Sequence, residues 1–178
     1  MVNVPDLSTT YLGITLSSPV IASAGPLTRD VESMLRLEAA GAGAIVLPSL
    51  FQEEAEAEEM QAYELFELGD GFAEFASAPL PEVDPASIGP GRHIKLLHDA
   101  KDALKVPVFA SLNGTNIGGW SRYAAEYQDA GADALELNLY SVNADPSEPA
   151  AAIEDRYLAV IEAVRAAITI PLSVKVSP

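Results

Sequence analysis

The residues of this chain best suited to chemistry are neutral amides, a few hydroxyls and one lysine. They come in groups: Ser23 and Gly25, Pro48 and Ser49, Asn113 and Gly114, Asn138, Ser141 and Asn143, and Lys175. The set lacks a carboxylate pair of the kind that cleaves glycosides, and it contains no histidine. The chain has no cysteine, which removes disulfides, thiolate nucleophiles and thiolate metal sites. An asparagine carboxamide offers a donor and an acceptor on one group. Several such amides with one fixed cation suit a flat heterocycle bearing carbonyl and N–H edges, such as a flavin or a pyrimidine. Lys175 stands inside an apolar run, where an ammonium is costly unless it finds partners, so it reads as functional or ion-paired. Plainer readings exist for others: Ser23 as a turn residue, Asn138 as a tie to loop backbone. His93 and His98 read as surface or packing residues on a helix.

Positioning these groups requires strands that end where the groups begin. Apolar runs suited to strands occur at Pro19–Ala24, Ala44–Leu47, Val108–Leu112, Ala134–Leu139 and Leu172–Val176. They are mostly continuous rather than alternating, as expected for parallel strands covered on both faces. Amphipathic helices are expected between them at Val31–Ala40, capped by Asp30 and stopped by Gly41, at His93–Leu104, Trp120–Ala130 and Ala150–Ala167. Glu38-Ala-Ala-Gly-Ala-Gly-Ala-Ile-Val-Leu echoes Gln128-Asp-Ala-Gly-Ala-Asp-Ala-Leu-Glu-Leu, each a helix end, a glycine stop and a strand. Lys105-Val-Pro-Val-Phe likewise echoes Thr169-Ile-Pro-Leu-Ser, with proline entering a strand where its missing N–H matters least. Such repeated βα units imply a parallel sheet with right-handed crossovers. Thr10–Leu16, around Gly13, reads as a small hairpin that would plug the N-terminal mouth of a barrel.

Composition bounds the rest. With 178 residues, 49% hydrophobic, the chain suits one globular domain or a piece of one. A net charge of -16 repels phosphate backbones and anionic membranes, leaving small molecules and proteins as expected partners. Met1 to Gly13 carries no cationic segment followed by an apolar run, and no stretch approaches the roughly 18 apolar residues of a membrane span. A cytoplasmic location is the default expectation. Residues 52–92 read as an insertion. It opens with an acidic helix, Gln52–Leu68, whose glutamates form a solvated face, and continues as a loop rich in proline and glycine.

At three places the chain resembles the dihydroorotate dehydrogenase family. Glu136-Leu-Asn-Leu-Tyr-Ser-Val-Asn143 is similar to that family's Glu-Leu-Asn-Leu-Ser-Cys-Pro-Asn strand end, and Val174-Lys-Val-Ser-Pro178 to its Val-Lys-Leu-x-Pro strand. Pro19-Val-Ile-Ala-Ser-Ala-Gly25 follows the first-strand pattern that ends in Ala-Ser-Gly. Ser111-Leu-Asn-Gly114, Gly118-Gly-Trp120 and the Ala-Gly-Ala-Asp-Ala of positions 130–134 resemble the dihydroorotate dehydrogenase-like branch. The resemblance implies an α/β fold: the N-terminal part of a (β/α)8 TIM barrel, with about five strands of eight, an N-terminal hairpin and the acidic insertion after the second strand. It implies an FMN-dependent oxidoreductase acting on CH–CH bonds in pyrimidine biosynthesis, with a small-molecule substrate; a homodimer is possible. Ala24, Gly25, Asn113, Asn138 and Lys175 would meet the flavin, Asn143 the substrate, and Ser141 would stand as catalytic base.

The chain departs from that pattern too. Leu47-Pro-Ser49 stands where one class carries Thr-Lys-Ser, so Pro48 replaces a lysine, and Pro79–Gly91 holds nothing like an Asn-Ser-Met-Gly-Leu substrate loop. Only five of eight strands precede the last residue, and the family's phosphate-binding loops follow later strands. The expectation is therefore a partial barrel. Two other readings remain: a barrel kept as a catalytically impaired scaffold, and a non-flavin, aldolase-type barrel in which Lys175 forms a Schiff base.

Overall fold

The fold is that of a computed structural model, which describes residues 5–58, 60, 90–113, 117–140 and 145–176. A hairpin of β1 (Thr9–Tyr11) and β2 (Ile14–Leu16) precedes β3 (Ile21–Ala22) and α1 (Val31–Ala39). Next come β4 (Ala44–Val46), β5 (Leu50–Phe51) and helical residues 52–58 (α2). The chain continues through α3 (Pro90–Ala103), β6 (Val108–Asn113), α4 (Ile117–Asp129), β7 (Ala134–Leu139), α5 (Ala150–Ala167) and β8 (Leu172–Val176). All strands after the hairpin are parallel, in the order β3-β4-β6-β7-β8, and β5 adds a short pairing to the end of β6. Strand order thus follows chain order, and the sheet curls into part of a barrel.

Successive side chains of a strand point to opposite faces, and the packing sorts them. Ile45, Leu47, Val108, Ala110, Leu112, Leu135, Leu137 and Leu139 join a large core with helix residues such as Met34, Leu97, Trp120, Tyr127 and Val164. Ala44, Val46, Phe109 and Ala134 point the other way, into a smaller inner cluster with Leu16, flanked by Leu12, Ile14, Ile21 and Ala24. The expected hairpin plug is therefore present, seated over the N-terminal ends of the strands. Its two-residue turn places Leu12 and Gly13 at φ 54° and 79°, the left-handed pair that matches hairpin twist. The Tyr11 ring lies 6.3 Å from that of Phe109, and its hydroxyl is 3.0 Å from the Ser173 hydroxyl.

The echoed segments do equivalent work. Gly41 and Gly131 stop α1 and α4 at φ 98° and 92°, where a side chain would be strained. The Glu38 carboxylate accepts the backbone N–H groups of Lys105 and Val106 at 2.7 and 2.9 Å. At the matching position, the Gln128 carbonyl accepts those of Thr169 and Ile170 at 2.6 and 3.2 Å. Each side chain thus closes the N–H groups just ahead of a strand-entering proline, which explains why the two sequence echoes occur together. The echo breaks at Gly43 and Asp133. A Cβ on Gly43 would lie 2.0 Å from the Ser18 carbonyl oxygen, so only glycine fits, whereas Asp133 accepts from Val108 N–H at 2.7 Å and Lys101 at 2.6 Å.

Two helices begin three residues before their apolar spacing indicates. Pro90 can start α3 because the first helical residue needs no N–H partner. In α4 the Gly118-Gly119 pair hides the start, yet it is a packing feature: a Cβ on Gly119 would meet the Gln52 side chain at 2.7 Å. Strand β5 was not expected from the sequence. Of the acidic insertion, residues 52–58 are helical and 90–92 form the first turn of α3, while residues 61–89 lie outside the described residues.

Candidate functional site

The same period of two that buries Phe109 and Ala134 on the inner face carries polar side chains further along it. Asn113 pairs in register with Asn138, and Asn138 with Lys175, so three adjacent strands present one row at their C-terminal ends. Phe51 of β5 extends the row beside Asn113. One step towards the hairpin, Ser111, Glu136 and Ser173 form a second row in register.

Asn138 is 2% exposed and its carboxamide orientation is fixed by its partners. The Nδ2 donates to the Leu112 carbonyl at 3.1 Å and to Ser111 Oγ at 3.0 Å, with Ser49 Oγ at 3.4 Å. A carbonyl can only accept, so the amide cannot be turned round. The Ser49 and Ser111 hydroxyls bond each other at 2.8 Å, closing the group. Among the described residues, Asn138 Oδ1 is buried and has no hydrogen-bond partner. An orphaned buried acceptor is costly, and an N–H donor brought against it would remove that cost.

Lys175 donates to Glu136 Oε1 at 3.0 Å, and its ammonium is 5.9 Å from the centre of the Tyr140 ring. Burial pulls its pKa down, but the hydrogen bond and charge of Glu136, with Tyr140 adding to them, outweigh that and raise it overall. Lys175 is therefore a fixed cation at neutral pH, half in solvent, with its carboxylate partner behind it.

Ala24 packs beside the inner cluster, and Ser23 lines a hollow of ≈160 Å³ with Tyr11, Val46, Phe109, Glu136 and Ser173. Gly25 is held from outside the hollow: Thr28 is 1% exposed, and its hydroxyl bonds both the N–H and the carbonyl of Gly25 at 3.2 and 3.1 Å. A Cβ on Gly25 would meet nothing closer than 3.8 Å, so the chain's own packing leaves room there. Ser141 and Asn143 lie outside the described residues. His93 is half-buried on α3, where burial, then the Arg92 charge, lowers its pKa. Among the described residues no group of three or more His, Asp or Glu is placed to hold a metal, and no helix is long and apolar enough to cross a membrane.

Sequence reading missed Ser111 and Glu136 as members of the site. The signal was available: each lies two residues before an asparagine of the row, hence on the same face.

Known proteins resemble the chain as follows. No family model matches it. The catalytic subunit of NAD-dependent dihydroorotate dehydrogenase B from Thermoplasma acidophilum is 27% identical over 182 residues, covering 97% of this chain and 55% of that protein. The same subunit from Methanocella arvoryzae is 28% identical over 167 residues, covering 93% of this chain and 52% of its own. The chain is thus similar to dihydroorotate dehydrogenase catalytic subunits over nearly its whole length. It spans about half the length of the curated relatives it matches. Among solved structures, dihydrodipicolinate synthase from Bacillus anthracis superimposes with a TM-score of 0.52 at 16% identity, over 87% of this chain and 44% of that one. At such identity the likeness is of fold alone.

Proposed function

We propose that this chain supplies the ring-contacting part of an FMN-dependent oxidoreductase acting on a CH–CH bond of a small, pyrimidine-like substrate. The observation that carries the reading is the row of Asn113, Asn138 and Lys175, three side chains in register on one face of adjacent strands. When bound, FMN would accept a hydride equivalent from the substrate carbon. Asn138 would hold the ring by offering Oδ1 to an N–H edge, its orientation set by Ser49, Ser111 and Leu112. Lys175 would place positive charge where the reduced ring gathers electrons, and Glu136 keeps that ammonium protonated and in place. Gly25, extended at φ 175° and with open space at its Cβ position, would let a ring approach the backbone beside Ala24. The strand end after β7 carries Ser141 as proposed base for a carbon-bound proton and Asn143 as proposed substrate contact.

The Schiff-base reading fits Lys175 less well. A nucleophilic lysine needs a depressed pKa so that its amine is free, whereas here the pKa is raised by an ion pair with Glu136.

The test is direct. Purified protein titrated with FMN should show saturable quenching of flavin fluorescence, and Asn138→Leu should weaken binding by about tenfold, the worth of one hydrogen bond in a dry site. Flavin-indifferent protein, or trapping of Lys175 by borohydride with a carbonyl substrate, would replace this reading with another.

A further inference from the structure

A second concavity opens on the rim beyond Ser49, between the segment after β3, strand β5 and the first turns of α3. Its volume is ≈560 Å³, within the range that holds small molecules. Arg29, Arg92 and Lys95 all line it, in a chain that has only ten lysines and arginines and a net charge of -16. Such a concentration of scarce cations runs against the field of the whole molecule, which otherwise repels anions.

Two carboxylates, Glu54 and Asp99, also line the pocket. Asp99 pairs with Lys95 at 2.6 Å, and Arg92 reaches Glu58 at 3.5 Å. Both pairs are solvent-exposed, and exposed pairs are weak enough to exchange for a ligand's oxyanion. Arg29 makes no ion pair among the described residues, so its guanidinium is available without any exchange. One wall is apolar: Phe51 is 41% exposed there, next to Pro48 and Leu96. Cations on one side and an exposed aromatic ring on the other are complementary to a small molecule that joins an oxyanion to a flat apolar body.

We propose that this pocket is an anion-binding site for a small carboxylate or phosphate ester, lying outside the Asn113–Asn138–Lys175 row and meeting it at Phe51. Arg29 and Arg92 hold the oxyanion, Lys95 turns from Asp99 to join them, and Phe51 covers the apolar part. Its cations do not belong to the Asn113–Asn138–Lys175 row, although Ser49 and Phe51 border both.

The probes are benzoate and inorganic phosphate, titrated at low salt into the isotopically labelled protein while side-chain NMR signals are followed. Saturable shifts at Arg29, Arg92 and Lys95 are expected, with the Phe51 ring responding to benzoate, and the affinity should fall as sodium chloride is added. Binding of benzoate alone assigns the site to aromatic carboxylates, and of phosphate alone to phosphate groups. Arg29→Gln should weaken binding by about tenfold, since it removes a charge-assisted hydrogen bond. Glu54→Gln should strengthen it by a fewfold, a gain that a folding defect cannot mimic. Asn138→Leu should leave it unchanged. If neither probe binds saturably, or if binding ignores both Arg29→Gln and Glu54→Gln, the proposal is wrong.

Discussion

The two ends of the sheet's inner face are built from the same strands and differ in every other respect. At the N-terminal end, Val46, Phe109 and Ala134 are apolar, buried and covered by the hairpin through Leu16. Four residues further along the same strands, Phe109 gives way to Asn113 and Ala134 to Asn138, beyond the cluster that the hairpin joins. The polar end is the one with an unmet bond: among the described residues the buried Oδ1 of Asn138 has no partner, where Phe109 leaves nothing unsatisfied. Parallel barrels commonly divide their two faces in this way. Here the division is visible in a single run of side chains, Phe109, Ser111 and Asn113.

The comparison is broken most severely at its apolar end. Phe109→Ala should cost about 3–5 kcal/mol of stability, the range for a buried aromatic truncated to alanine. Urea unfolding would read this as a lowered midpoint, while the folded fraction keeps its affinity for flavin. Gly43→Ala should cost about 1–3 kcal/mol through overpacking against the Ser18 carbonyl, and it tests whether the entry to β4 tolerates any displacement. Loss of less than a few tenths would show that the segment bearing the hairpin moves freely.

At the polar end the loss should be of hydrogen bonds rather than packing. Asn138→Leu removes one unpaired acceptor but leaves the Leu112 carbonyl and the Ser111 and Ser49 hydroxyls without their amide donor, so stability should fall by about 1–3 kcal/mol while flavin affinity falls as well. Unchanged stability would mean that the amide's bonds to Leu112 and Ser111 contribute little. The smallest effect is expected at Lys175. Its side chain is 47% exposed, so Lys175→Met should change stability by under about 1 kcal/mol at neutral pH. Its folded pKa is raised, so the contribution is fully present below the ordinary lysine value of 10.5 and is lost as pH rises through the folded value. The variant should therefore flatten the alkaline limb of the stability profile. His93 works in the opposite sense: its pKa is lowered, so stability is full above 6.5 and declines as pH falls from there towards the folded value.

The apolar end of this comparison was the more legible in sequence. Continuous runs marked β3, β4, β6, β7 and β8, and the spacing of Ile153, Tyr157, Val160 and Val164 gave α5 its full extent, Ala150–Ala167. Burial imposes a period, and a period can be read without coordinates. Strand β5 escaped because two residues carry no period and its pairing with β6 is set by tertiary contact alone. At the polar end, Asn113, Asn138 and Lys175 were identifiable as strand-end residues, but their being in register was not, since register depends on how neighbouring strands slide. The partnership of Glu136 with Lys175 and of Ser49 with Ser111 spans 39 and 62 positions of sequence, and nothing local announces either. The reason Gly43 replaces the aspartate of its echo is likewise a contact, with Ser18, that only the folded chain displays.

The account rests most heavily on a single planar ring system meeting the row at the C-terminal ends of β6, β7 and β8. Side-chain amide and lysine NMR signals recorded during an FMN titration test this most directly. The account predicts that Asn113, Asn138 and Lys175 shift together with one dissociation constant, while Phe109 and Leu16 at the plugged end stay put. Saturable FMN binding that leaves those three signals unmoved, or moves them with unrelated affinities, would contradict it.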